Sequence, residues 1–156
     1  MHNILNNKQK TYIANLLSPI IKLENIKNEN IKKIINLEEV DKLYNADIND
    51  ITTILKHDFS DKEAKSDGIT FTPLPIVKYM YEDFIPSLFN YITKLRIADL
   101  SVGNGAFFVG LIILLKEKFP NFSVVNFIEN NLFGYDLKKE NIFFTKLNLY
   151  ILALYY

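Results

Sequence analysis

Cysteine and tryptophan are missing from this sequence, and histidine occurs only at His2 and His57. Without cysteine the chain can form neither disulfides nor thiolate metal sites. Two distant histidines are too few for a histidine-based metal site. An excess of one charge is missing too, because 18 Lys and Arg balance 18 Asp and Glu. A domain that holds nucleic acid mainly by charge would show a basic excess, so this class is disfavoured.

Long apolar runs are also absent. No run reaches the roughly 18–20 residues needed to span a bilayer. The N-terminus lacks the basic-then-apolar order of a signal peptide. We therefore expect a cytoplasmic protein. Its 156 residues fit one domain, and a hydrophobic fraction of 49% is enough to build a core.

Residues 1–60 have the pattern of a helical segment. Apolar residues at helical spacing are found at Ile13, Leu16, Leu17, Ile20 and Ile21, and again at Ile31, Ile34 and Ile35. Pro19 interrupts the first stripe and predicts a break or a kink there. Asp50 is placed to cap a short helix over 51–55. We interpret 1–60 as a helical N-terminal subdomain with a packing role, followed by a polar linker at 58–68.

From residue 66 onward the sequence alternates between strand and helix patterns. An extended segment before Pro75 leads into a helix with an apolar stripe at Ile76, Tyr79, Met80 and Phe84, and Pro86 is predicted to bend or end this helix. A strand 95–100, a glycine turn 101–105 and a helix 106–118 are predicted next. The segment 121–130 fits either helix or strand, and it is followed by a strand 132–137 and a helix 138–156. This order is typical of the opening of a doubly wound α/β sheet. We therefore predict an α/β fold with a second domain over 66–156.

Two glycines, Gly103 and Gly105, stand in the turn between the first predicted strand, which ends near Asp99, and its helix. Glycine lets the backbone turn sharply and leaves room for a ligand to approach the main chain. The helix that follows offers unpaired N–H groups at its first turn. Many strand–helix turns carry glycine for steric reasons alone, so a plain turn remains the alternative interpretation.

Asp136 stands at the end of the second predicted strand. Ligands of open α/β sheets lie outside the carboxyl ends of the strands, where an acidic residue can accept from two ribose hydroxyls. The alternative is a helix N-cap, because a helix follows. Asp136 lies 33 residues after Gly103, and Phe108 occupies the place of a third glycine. A dinucleotide fingerprint has that glycine and an acid about 20 residues on, so NAD is disfavoured.

Three blocks, taken in order, resemble the adenine-N6 DNA methyltransferases of restriction–modification systems. The closest resemblance is to the large family of type I modification subunits and fused type II enzymes. The blocks are 68–73 with Ile76, Val77 and Met80, then 99–108, then 132–136 with 146–154. Together they cover roughly residues 66–156.

This resemblance implies the start of a Rossmann-like methyltransferase sheet that binds S-adenosylmethionine. The residues expected to bind this cofactor are Phe71, Thr72, Pro73, Asp99, Gly103, Gly105 and Asp136. In the family, the block that corresponds to Phe71, Thr72 and Pro73 packs on the methionine part of the cofactor. The turn that corresponds to 99–105 wraps the cofactor, and Asp136 would bind the ribose.

The sequence also departs from the family pattern. Leu100 stands where the family usually has proline, and Ser101 and Val102 replace a small residue and a cysteine. Serine is common in the family at the position of Asn104, so Asn104→Ser is expected to have only a mild effect on cofactor binding. The family's catalytic block is Asn- or Asp-Pro-Pro followed by an aromatic residue. It has no counterpart here, because no two of the five prolines are adjacent.

We therefore expect the N-terminal, cofactor-binding part of an adenine-N6 DNA methyltransferase, truncated and inactive alone. DNA would be engaged through the complete enzyme, and another polypeptide would supply the missing catalytic half. The missing strands are expected to leave the apolar last helix uncovered. One alternative is a non-catalytic interaction module that docks on another subunit. Another is a small-molecule methyltransferase or nucleotide-binding enzyme, which the block at 71–73 disfavours.

Overall fold

Helices make up most of the described chain, which in this computed structural model comprises residues 5–17, 46–57, 70–92 and 94–156. The elements are α1 (Asn7–Leu17), a short 3-10 helix (Ile48–Asp50), α2 (Ile51–Ile54), α3 (Leu74–Glu82), α4 (Ile85–Ile92), β1 (Ile97–Asp99), α5 (Ala106–Lys118), α6 (Val124–Asn131), β2 (Leu132–Gly134) and α7 (Lys139–Tyr155). The predictions for Pro19, for the apolar stripe at 31–35 and for the linker 58–68 lie outside the described residues.

Strands β1 and β2 form a parallel pair, with Ala98 opposite Phe133 and Asp99 opposite Gly134. The connection between them runs through α5 and α6, as a parallel pair requires. Both strands are three residues long, shorter than predicted. The ambiguous segment 121–130 is mostly helix α6. The mixed α/β class and the predicted order of elements are confirmed.

Helix α5 lies at the centre of the fold. Its residues are apolar on nearly every face, which is the pattern of a helix buried all round. Nine of its 13 residues are buried. The helix packs against α3 and α7. Gly110 allows the close approach of α3, since a Cβ built there would lie 2.6 Å from Val77 Cγ1.

The helix predicted around Pro86 is in fact two helices. Helix α3 ends at Glu82, and Pro86 is the second residue of α4, where its missing N–H costs no hydrogen bond. The apolar stripe of α3 also points outward. Tyr79 is 77% exposed, whereas the buried residues of this helix are Leu74 and Val77.

The buried side chain of Gln9 joins α1 to the segment that contains α2. The Gln9 amide donates to the carbonyls of Ile54 at 3.0 Å and Lys56 at 2.9 Å. Asp47 caps the 3-10 helix by accepting from the Asn49 N–H at 2.9 Å. The predicted cap at Asp50 is wrong, because its side chain makes no capping bond and its backbone is already helical.

Helix α7 is better covered than the sequence suggested. Leu147, Ile151 and Leu152 are buried, because α1, α5 and α6 pack around the helix. The expectation of an open apolar face is therefore wrong for these three residues. None of the helices in the described ranges is long and apolar enough to cross a membrane.

Residues from both predicted domains contribute to one core. Ile13 and Ile51, from the first segment, belong to the same buried cluster as Ile112 and Ile151. The boundaries at 1–60 and 66–156 stay a prediction.

Replacing Gly110 with alanine tests the α3–α5 contact. Where a helix position has open space around it, replacing glycine with alanine stabilises the helix by about 1 kcal/mol. Overpacking a tight contact instead costs about 1–3 kcal/mol. We expect Gly110→Ala to lower the free energy of unfolding, measured by urea denaturation.

Val77→Ala is the matched partner for that test, because it removes the atom that the new Cβ would meet. The two changes together should destabilise less than the sum of the single changes. A Gly110→Ala chain more stable than the wild type would contradict the packing described.

Candidate functional site at the strand ends

The carboxyl ends of β1 and β2 lie side by side, and the loops that follow them are joined by backbone hydrogen bonds. The Tyr135 N–H donates to the Asp99 carbonyl at 2.9 Å, and the Val102 N–H donates to the Tyr135 carbonyl at 2.9 Å. The pairing thus continues beyond the strands, so the glycine turn after β1 and the residues after β2 form one surface.

The two glycines of the turn have left-handed backbones, with φ of +57° at Gly103 and +82° at Gly105. Other residues rarely adopt this conformation. A Cβ on Gly103 would lie 3.3 Å from the Phe71 ring, and one on Gly105 would lie 3.1 Å from Thr145 Cγ2. The protein's own packing therefore requires glycine at both positions, whether or not a ligand approaches them.

The Asp136 carboxylate joins the two strand ends. Its Oδ2 accepts from the Gly103 N–H at 2.9 Å. Its Oδ1 accepts from the Lys138 N–H at 2.9 Å and from Asn141 Nδ2 at 3.1 Å. The N-cap of α7 is Lys138, so the helix-cap interpretation of Asp136 is wrong. A carboxylate has about four acceptor positions, and these three bonds occupy roughly three of them.

Polar side chains of α7 hold the rest of the glycine turn. The Thr145 hydroxyl donates to the Gly103 carbonyl at 2.8 Å. Asn148, which is fully buried, donates through Nδ2 to the carbonyls of Asn104 at 2.8 Å and Leu55 at 3.1 Å. Asn104 in turn donates to the Thr52 carbonyl at 2.6 Å. The turn is thereby tied both to α7 and to the N-terminal segment.

Asp99 lies at the end of β1, where its Oδ1 accepts from the Ser101 N–H at 3.0 Å. Burial raises the pKa of the nearby Tyr81 hydroxyl, and the charge of Asp99 raises it further. Tyr81 therefore stays neutral, and its ring lies edge-on to Phe107 with centroids 6.2 Å apart. The sequence analysis missed Tyr81, which no motif distinguished from other helix aromatics.

The predicted site residues are partly brought together. Phe71, Gly103 and Asp136 meet at the glycine turn. Asp99 is linked to this group by the hydrogen bond that its carbonyl accepts from the Tyr135 N–H, next to Asp136 in the chain. Thr72 and Pro73 lead away from the turn, and the Pro73 carbonyl accepts the N–H groups that begin α3.

The buried polar residues of α7 were not predicted as part of the site. They are Asn141, Thr145 and Asn148, at spacings of four and three along an otherwise apolar helix. Polar residues on a buried helical face need partners, so this spacing was a signal that could have located them.

Two cavities in the described part of the chain are lined by none of the predicted cofactor-binding residues. One, of about 480 Å³, is lined by Leu74, Lys78 and Glu117 among others. The other, of about 400 Å³, is an apolar groove between α6 and α7. Among the described residues, no three His, Asp or Glu side chains come together as a metal site would require.

Asn104→Ser tests the buried connection between the turn and the N-terminal segment. Serine is too short to reach the Thr52 carbonyl, and an unpaired buried acceptor costs about 1–3 kcal/mol. We expect the free energy of unfolding to fall by this amount in urea denaturation, whereas the family resemblance addressed only cofactor binding and predicted a mild effect there. Asn126→Ser, at an exposed position of α6, is the control. Equal stability of the two variants would contradict a structural role for Asn104.

Comparison with known families identifies one family whose model covers this part of the chain. The family model described as N-6 DNA methylase matches residues 45–154, which include the glycine turn, Asp136 and the segment with Thr52. Neither the curated proteins nor the solved structures contain a match to this chain. The family match covers well over half of the 156 residues, and the strand-end site lies within it. The chain therefore belongs to the N-6 DNA methylase family.

Proposed function

We propose that the strand-end site binds S-adenosylmethionine and serves adenine-N6 methylation of DNA in a restriction–modification system. The chain would form the cofactor-binding part of a Rossmann-like catalytic domain, as in type I modification subunits or fused type II enzymes. The observation that carries the proposal is the Asp136 carboxylate, which contacts the glycine turn and keeps an acceptor position for a ligand.

The residues around the strand ends fit this cofactor. Leu100 is 78% exposed, and Leu137 is fully exposed. Tyr135 is 57% exposed. These apolar side chains flank the end of the sheet and offer a surface that a purine ring can cover. A ribose hydroxyl can donate to the remaining acceptor position of Asp136, and the Asp99 carboxylate favours the positive charges of the methionine part.

The cofactor supplies a methyl group on a positively charged sulfur. The protein's task at this site is to bind and orient it. Asp136 would fix the ribose, and the left-handed turn at Gly103 and Gly105 would bring the main chain close to the methionine part. Phe71, in the segment that leads into α3, packs against the turn at Gly103.

Transfer to adenine needs a second half-site. An enzyme must extract the base from the duplex into a pocket, which costs a few kcal/mol. In the family the Asn/Asp-Pro-Pro-aromatic block holds that base, and these 156 residues contain no adjacent prolines. We propose that this chain is silent in methyl transfer by itself, and that a polypeptide carrying that block completes the enzyme and engages DNA.

The apolar groove between α6 and α7 supports a second candidate, a non-catalytic interaction module. Val125, Ile128, Leu149, Tyr150 and Leu154 line this groove. Its walls suit a docked apolar segment of another subunit. The two candidates differ in cofactor binding, which the interaction module does not require.

The first test is calorimetry of S-adenosylmethionine binding. The wild type should bind, and Asp136→Ala should bind roughly 10- to 150-fold more weakly, as expected for a lost hydrogen bond to a charged group. Glu140→Ala, an exposed carboxylate four residues away, is the matched control and should bind like the wild type. Equal affinity in Asp136→Ala would remove Asp136 from the site. A folded wild type that binds no cofactor would refute the cofactor proposal.

The second test is transfer of a tritiated methyl group to adenine-containing DNA. The purified chain should transfer none, and a supplied polypeptide with the Asn-Pro-Pro-aromatic block should restore transfer. Methylation by the chain alone would overturn the proposal that it is silent.

A further inference from the structure

Asn141 lies on the first turn of α7 with its side chain directed at Asp136. The residue is 6% exposed. Its Nδ2 donates to Asp136 Oδ1 at 3.1 Å, while its own Oδ1 is buried and has no hydrogen-bond partner among the described residues. Exchanging the amide nitrogen and oxygen would set two acceptors against each other, so the chemistry fixes the donor toward the carboxylate.

The three donors around Asp136 reach both of its oxygens. Lys138 and Asn141 meet Oδ1, and Gly103 meets Oδ2. An aspartate carboxyl group otherwise rotates over a broad range, because the torsion that turns it has no sharp minima. Donors on both oxygens restrict that rotation. Two of them are backbone groups of loops, whereas Asn141 belongs to a helix of 17 residues.

We propose that Asn141 is a positioning residue, which holds the Asp136 carboxylate in the orientation that clamps Gly103 and directs the remaining acceptor position toward the ligand. The part of this inference that concerns the ligand rests on the proposed cofactor site. The part that concerns Gly103 does not, because that contact is within the chain.

Asn141 contributes little to the core itself. It gains one hydrogen bond and leaves one buried acceptor unpaired, and these two effects on stability oppose each other. Leucine is similar in size to asparagine, and it removes both the hydrogen bond and the unpaired acceptor. The Asn141→Leu variant is therefore expected to fold. The effect of the substitution should then be at Asp136.

The test is a double-mutant cycle with S-adenosylmethionine as the probe. Asn141→Leu should weaken binding by up to about tenfold, the lower limit of the loss expected for Asp136→Ala, because a carboxylate that is no longer held in place directs its acceptor position toward the ligand less often. In the Asp136→Ala background the same substitution should change affinity by less than about twofold, because residues that act through one another are not additive. Asn130→Leu, on the exposed face of α6, is the matched control and should leave affinity unchanged.

The Gly103 amide provides a second readout that does not need the cofactor. In a nitrogen–proton spectrum, Asn141→Leu should move the Gly103 amide proton toward the position that it takes in Asp136→Ala. Asn130→Leu should not move it. A purely structural residue would not shift this one resonance in the direction set by Asp136.

The outcomes separate the two proposals. A Gly103 resonance that responds in a chain without cofactor affinity supports positioning and refutes the proposed function. Binding that depends on Asp136 but not on Asn141 refutes positioning alone. An equal loss of affinity from Asn141→Leu in both backgrounds also overturns the inference, because Asn141 would then act independently of Asp136.

Discussion

The hydrogen bond from the Gly103 N–H to the Asp136 carboxylate is the contact on which the site depends. Two short parallel strands fix little by themselves, since a pair of three residues each makes few ladder bonds. Backbone hydrogen bonds among Asp99, Val102 and Tyr135 continue the pairing into the loops. The Asp136 carboxylate adds the next link, between the turn that follows β1 and the loop that follows β2.

Helix α7 extends the same constraint into the core. Thr145 and Asn148 accompany Asn141 on its buried face and hold two successive carbonyls of the turn. Through Asn104 and Asn148 the turn also contacts the carbonyls of Thr52 and Leu55. The N-terminal segment thus supports the candidate site, and the family match, which begins at residue 45, includes the residues 52 and 55 of that segment.

The sequence predicted the elements whose patterns are local. The helix over 106–118, the order of the two strands and the glycine turn follow from apolar periodicity and from glycine chemistry. The orientation of α3 was less predictable, since its Tyr79 stripe resembles a core face until α5 is seen to pack on Val77 instead. The cap at Asp47 rather than Asp50 depends on a backbone conformation that composition does not reveal. The structural role of Asn104 was not predictable, because its hydrogen-bond partner, Thr52, lies 52 residues away in sequence.

Cofactor binding can be measured separately from methyl transfer. S-adenosylmethionine is proposed to bind at the strand ends and not in the apolar groove between α6 and α7. Hydrogen–deuterium exchange with and without saturating cofactor tests this most directly, because it reports on each region at once. We expect slower exchange at residues 99–105 and 135–138, with no change along 146–154. Protection confined to the groove between α6 and α7, or no protection anywhere, would contradict it.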